Sequence, residues 1–146
     1  MKRIITKPHL FFFGLIPIFI IIGLFYKDVP LNVNISFIYY LLNVDFWCYI
    51  TAAYFGLIGI NYLSLNMVKK YPKKGLTITH IILQILCLLP YLFAIFQLDE
   101  AGNLSNNSFT NNPNFSGILL IAFFLFIISI IVHLISFFTS LMLKTD

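Results

Sequence analysis

The sequence predicts an all-α membrane protein with four transmembrane helices and both termini in the cytoplasm. Three observations carry this reading. Of the 146 residues 60% are hydrophobic and only 10% charged, where a soluble domain carries roughly a quarter charged. The apolar residues gather in four runs, at 9–26, 46–65, 76–98 and 118–143. Each is near the ~20 residues needed to cross a hydrocarbon core. Inside lipid every backbone group must find its partner within the segment, so the runs are helices. Finally, Lys2, Arg3 and Lys7, the Lys69, Lys70, Lys73 and Lys74 cluster, and Lys144 fall at alternate connections. The positive-inside rule places all of these on the cytoplasmic side. The length fits one domain, residues 1–146.

The first run, HLFFFGLIPIFIIIGLFY, follows a basic start as a signal peptide would. It is longer than a usual signal core, and YKDVPLN follows it in place of a small-residue cleavage site, so it reads as a retained helix. His9 lies at its edge and reads as interfacial. The stretch 27–36 is expected to be an outer loop. The second run places Thr51, Tyr54 and Asn61 on one stripe, and its Ala52-x-x-x-Gly56 spacing lets another backbone come close. The third run carries Thr77, His80, Gln84, Cys87 and Tyr91 at steps of three and four, and the fourth carries Ser129, His133, Ser136 and Ser140 in the same way. Each set is one helical face. Pro17 and Pro90 interrupt their helices as kinks do. The loop 99–117 is polar and Asn-rich; its Asn103-Leu104-Ser105 triplet is an acceptor only in a secretory eukaryotic setting. Cys48 and Cys87 have no paired spacing, so neither a disulfide framework nor a metal knuckle is indicated. No basic face exists outside the membrane flanks, which argues against a nucleic-acid partner.

Polar side chains in lipid are costly, so their placement is informative. With the third helix running outward and the fourth inward, a rise of about 1.5 Å per residue puts Gln84 and His133 at similar depth. A Gln84–His133 hydrogen bond is expected, with His80 one level deeper, near Ser136. Asn61, His80, Gln84, His133 and Ser136 then form one inner-leaflet cluster. Such a cluster serves as helix glue; the alternative is a ligand site, in which His80, Gln84 and His133 contact a b-type haem or a quinone head. Apart from interfacial Asp45, no Asp, Glu, Lys or Arg lies within a span. A proton pump would be expected to have one.

Residues 31–49, LNVNISFIYYLLNVDFWCY, resemble a signature of the haem–copper oxidase subunit I family (cytochrome c and quinol oxidases). The family pattern reads Leu-Asp-Val-x-Leu-His-Asp-Thr-Tyr-Tyr-Val-Val-Ala-His-Phe-His-Tyr. Leu31, Val33, the Tyr39-Tyr40 pair and the apolar Leu41-Leu42 pair match it. The family's magnesium-site His-Asp falls on Ser36 and Phe37, and its haem-ligating histidines fall on Val44 and Phe46. Neither Val nor Phe has a lone pair to give to iron. Asp45 stands where the family has Phe and inherits no role. The layout around 9–98 is also similar to the last helices of that subunit, with the Lys69–Lys74 loop followed by His80, although Pro90 stands closer to His80 than the family's Pro does to its His.

The resemblance implies a degenerate, non-catalytic relative of the oxidase subunit's final third. It would be an accessory component of a respiratory complex in a bacterial cytoplasmic membrane, holding no metal and no cofactor, with the lipid bilayer and the complex's membrane helices as partners. The alternative is a small haem- or quinone-binding protein using His80, Gln84 and His133.

Overall fold

The computed structural model describes residues 7–35, 38–70, 72–96 and 113–142. Lys2, Arg3, Lys144, Ser36, Phe37 and the Asn103-Leu104-Ser105 triplet lie outside them, as do both termini.

Four helices form, α1 (Pro8–Phe25), α2 (Val44–Met67), α3 (Lys74–Phe96) and α4 (Pro113–Met142). Each contains a stretch long and apolar enough to cross a membrane, with Leu120–Met142 as the stretch in α4. Pro8 opens α1, where its missing N–H costs nothing. The helices continue through Pro17 and Pro90.

The connection between α1 and α2 differs from the expected loop. It is an antiparallel ribbon of β1 (Pro30–Ile35) and β2 (Ile38–Asn43), pairing Val33 with Tyr40 and Ile35 with Ile38. The physical reason lies in composition: Val, Ile and Tyr favour the pleated conformation, and here they recur in both strands. The Val44 N–H donates to the Val29 carbonyl (3.0 Å), tying the base of the ribbon to the start of α2.

The backbone approaches are closest within two hairpins, α1 with α2 and α3 with α4. On the first, glycines set the distance. A Cβ at Gly59 would lie 2.5 Å from Phe13 Cε1, and one at Gly23 would lie 3.0 Å from Tyr49 Cε1. Phe55 adds ring contacts to Phe12 and Phe19, at centroid distances of 6.2 and 5.4 Å. The two hairpins meet mainly through large side chains. Phe19 stacks on Tyr91, Tyr26 meets Phe96 edge-on, and Tyr54 leans on Phe126. At one end of the bundle the Lys70 ammonium donates to the Leu141 carbonyl. The outward faces carry exposed Leu24, Leu57, Leu89, Phe123 and Phe138, as lipid-facing surfaces should.

Candidate functional site

The polar stripes of α2, α3 and α4 turn inward and meet. Thr77, His80, Gln84 and Cys87 of α3 are buried, as are Ser129, His133, Ser136 and Ser140 of α4. Some of the hydroxyls are used locally: Ser140 donates to the Ser136 carbonyl (2.6 Å) and Thr51 to the Trp47 carbonyl (2.8 Å). Cys87 donates its thiol to the Leu83 carbonyl, which leaves it the small buried role expected of it. Cys48 is buried and free as well.

At the centre, His80 and His133 lie against each other, with ring centroids 4.8 Å apart and planes tilted by 33°. His80 is fully buried and His133 is 4% exposed. Phe12 of α1 stacks on His80 (5.0 Å) and on Tyr62 (5.6 Å), and Tyr62 meets His133 edge-on at 5.1 Å. All four helices therefore contribute to one enclosed cluster.

Hydrogen bonds fix its arrangement. The Tyr62 hydroxyl and His80 Nδ1 are 2.9 Å apart. With Nδ1 unprotonated Tyr62 O–H donates to it, and with Nδ1 protonated the hydroxyl accepts; either way the bond ties α2 to α3. Asn61 Nδ2 lies 3.3 Å from His133 Nε2. The amide N–H donates there, which puts the His133 proton on Nδ1. One turn along, Gln84 Oε1 accepts from the Ser129 hydroxyl (3.1 Å) and from the Tyr54 hydroxyl (3.5 Å).

The expected cluster of Asn61, His80, Gln84, His133 and Ser136 thus comes together, with two changes. Gln84 pairs with Ser129 and Tyr54 where a Gln84–His133 bond was expected. His80 and His133 stand at one level, where His80 was placed deeper. The depth estimate treats the helices as straight and parallel to the membrane normal, and small tilts shift levels by a turn. The haem alternative is affected directly: the two rings share a level but are in direct contact. A macrocycle held between His80 and His133 does not fit, because no space separates the rings, and Tyr62 and Asn61 each hold one ring nitrogen. Among the described residues, no group of three or more His, Cys, Asp or Glu is placed to hold a metal ion.

Two members escaped the sequence reading. Tyr62 and Phe12 sit in apolar runs and look like lipid-facing aromatics. The available signal was Tyr62 itself, since a tyrosine deep in a span must find a partner for its hydroxyl. The edge residues also fall into place. His9 is 8% exposed, more enclosed than an interfacial residue need be, and it meets Phe13 edge-on. Asp45 occupies the first turn of α2, where a carboxylate faces the positive end of the helix dipole.

No family model matches this chain, and no curated protein or solved structure matches it either.

Proposed function

We propose that the chain is a non-catalytic integral membrane protein that works through contacts with other membrane helices, as an accessory component of a respiratory complex. The observation that carries this reading is how the polar side chains of the spans are spent. Tyr62–His80, Asn61–His133 and Tyr54–Gln84 each bridge the two hairpins. They hold helices together and line no charged path. Among the described residues the only carboxylate within a helix is Asp45, in the first turn of α2, and the only lysine is Lys74, the first residue of α3. Ion-coupled transport relies on ionisable groups inside the span, so the composition of the bundle favours an assembly role over a transport role. The resemblance of residues 31–49 to the oxidase subunit I signature makes an oxidase the first partner to test. A bacterial cytoplasmic membrane is the setting in this reading. The Lys69, Lys70, Lys73 and Lys74 end lies inside, together with both termini.

Mild solubilisation of native membranes carrying the tagged full chain tests the assignment. Oxidase subunits are expected to co-purify in fixed proportion, and a chain that runs alone refutes it. Substituted-cysteine labelling tests sidedness. Ser105→Cys is expected to react with an impermeant maleimide from the outer face and Lys73→Cys only after permeabilisation, and the opposite pattern inverts the topology.

A further inference from the structure

One end of the bundle gathers positive charge that the described residues do not neutralise. Lys7, Lys69, Lys70, Lys73 and Lys74 stand at this end, while the described carboxylates, Asp28 and Asp45, stand at the other together with Lys27. The antiparallel approach of α1 to α2 at Gly59–Phe13 and Gly23–Tyr49 brings Lys7 to the level of the α2–α3 connection. Lys70 is engaged within the fold, on the Leu141 carbonyl of α4. Lys7, Lys69, Lys73 and Lys74 are exposed. Three of these sit where a structural role alone would not put a lysine. Lys69 ends α2 with a left-handed backbone, φ 57°. Its N–H donates to the Asn66 carbonyl (3.1 Å) and the Lys70 N–H donates to the Leu65 carbonyl (2.9 Å). That is the Schellman helix stop, whose left-handed position favours glycine. Lys74 is the first residue of α3, Lys73 precedes it, and the first turn holds no acidic residue. A helix dipole repels cations at that end.

From this arrangement we infer that the α2–α3 connection is a binding surface for anionic phospholipid, with the phosphodiester headgroup seated among Lys69, Lys73 and Lys74. Charge complementarity is the first argument. One anionic headgroup relieves both the mutual repulsion of the three lysines and the dipole penalty at the start of α3. A zwitterionic headgroup carries its own ammonium group to the same place and relieves less. The apolar surroundings are the second argument, and they favour a lipid over a free anion. Met67, Val68 and Ile78 next to the lysines, and Leu141 and Met142 at the end of α4, are exposed apolar side chains. A headgroup held by the lysines lays its acyl chains beside this surface. The third argument is order. The connection is pinned at its start by the backbone bonds of the Schellman stop and tied to α4 through Lys70, so less conformational freedom is lost on binding than in a loose basic tail. A lysine near an anionic membrane surface strengthens association about fivefold, and three in one ordered connection give a preference for anionic lipid.

The test places the full chain in phosphatidylcholine bilayers with a trace of spin-labelled phosphatidylglycerol or, in parallel, spin-labelled phosphatidylcholine. The motionally restricted fraction of each label reports lipid held at the protein. Phosphatidylglycerol is expected to be favoured about fivefold or more at low ionic strength. In about 1 M salt, where the Debye length is about 3 Å, that preference is expected to collapse. This salt comparison uses the unaltered protein and depends on no variant. Lys69→Gln, Lys73→Gln and Lys74→Gln combined are expected to abolish the preference, while Lys27→Gln, exposed at the opposite end, leaves it unchanged. Lys69→Gly, which removes the charge and suits the left-handed backbone, is expected to weaken the preference and raise thermal stability. Inorganic phosphate at constant ionic strength is expected not to displace the labelled phosphatidylglycerol. Equal restricted fractions for the two labels overturn the inference, as does a preference that survives high salt or the triple substitution. Loss of the preference in Lys27→Gln does the same. Displacement by inorganic phosphate assigns the lysines to a free anion and also overturns it.

Discussion

Replacing Tyr62 by Phe removes one oxygen atom from the centre of the bundle and tests how its four helices are held. The ring is expected to keep its stacking on Phe12 and its edge contact with His133. What disappears is the 2.9 Å bond to His80 Nδ1. His80 is fully buried, so no solvent replaces the lost partner. Hydrogen bonds between membrane helices contribute about 0.6 kcal/mol on average and up to about 1.7, and a stranded buried group costs about 1–3 kcal/mol. Because His80 Nε2 already lacks a partner, Tyr62→Phe strands the second ring nitrogen too. A loss of about 1–2 kcal/mol is expected, roughly a 5- to 30-fold change in the unfolding equilibrium. The assay is reversible unfolding in mixed micelles, run as a double-mutant cycle with His80→Phe. A coupling energy of about 0.6–1.7 kcal/mol is expected. Coupling near zero would show that the two side chains only touch, and the account of the seam as a hydrogen-bonded joint would be wrong.

Gly59→Ala is expected to destabilise the α1–α2 hairpin by about 1–3 kcal/mol, the usual range for overpacking, because the new Cβ meets the Phe13 ring at 2.5 Å. Gly56→Ala, whose Cβ would find only Ile16 at 3.7 Å, is expected to be neutral or to gain up to about 1 kcal/mol from helix propensity; the same micelle titration checks both. Lys70→Gln removes a cation from the C-terminal end of α4, where it meets the Leu141 carbonyl. It is expected to cost about 0.3–1 kcal/mol, with a smaller difference at high salt, measured by thermal unfolding at two ionic strengths. Cys48 and Cys87, both buried, are expected to resist maleimide in the folded protein and to react fully after denaturation; fast labelling of either in the native state contradicts the packing described.

Much of this architecture is legible in the sequence because lipid imposes simple rules. Apolar runs of the right length must be helices, and polar residues among them must face inward. The stripes through His80 and Gln84 and through Ser129 and His133 could therefore be read directly, and they are buried. Pairing was harder to see. Whether Gln84 meets His133 or Ser129 depends on helix tilt and on a shift of one turn, and periodicity carries neither. The ribbon at Pro30–Asn43 was missed for a different reason. Its Val, Ile and Tyr residues suit a membrane-edge loop as well as a strand, and only their pairing with each other decides between the two. The absence of the signature's histidines at Val44 and Phe46 removed that signature's site, while the polar cluster that does form lies in the bundle core and owes nothing to it.

The division into two hairpins also bears on how the chain is made. The Tyr62–His80, Asn61–His133 and Tyr54–Gln84 bonds each draw one partner from α2 and the other from α3 or α4. After α1 and α2 have entered the membrane, Asn61 and Tyr62 have no counterpart. When α3 and α4 follow, His80, Gln84 and His133 face lipid until the halves dock. An undocked chain therefore displays polar side chains to the bilayer on both halves, and docking covers them. The cluster that closes the bundle thus also distinguishes a finished molecule from an unfinished one.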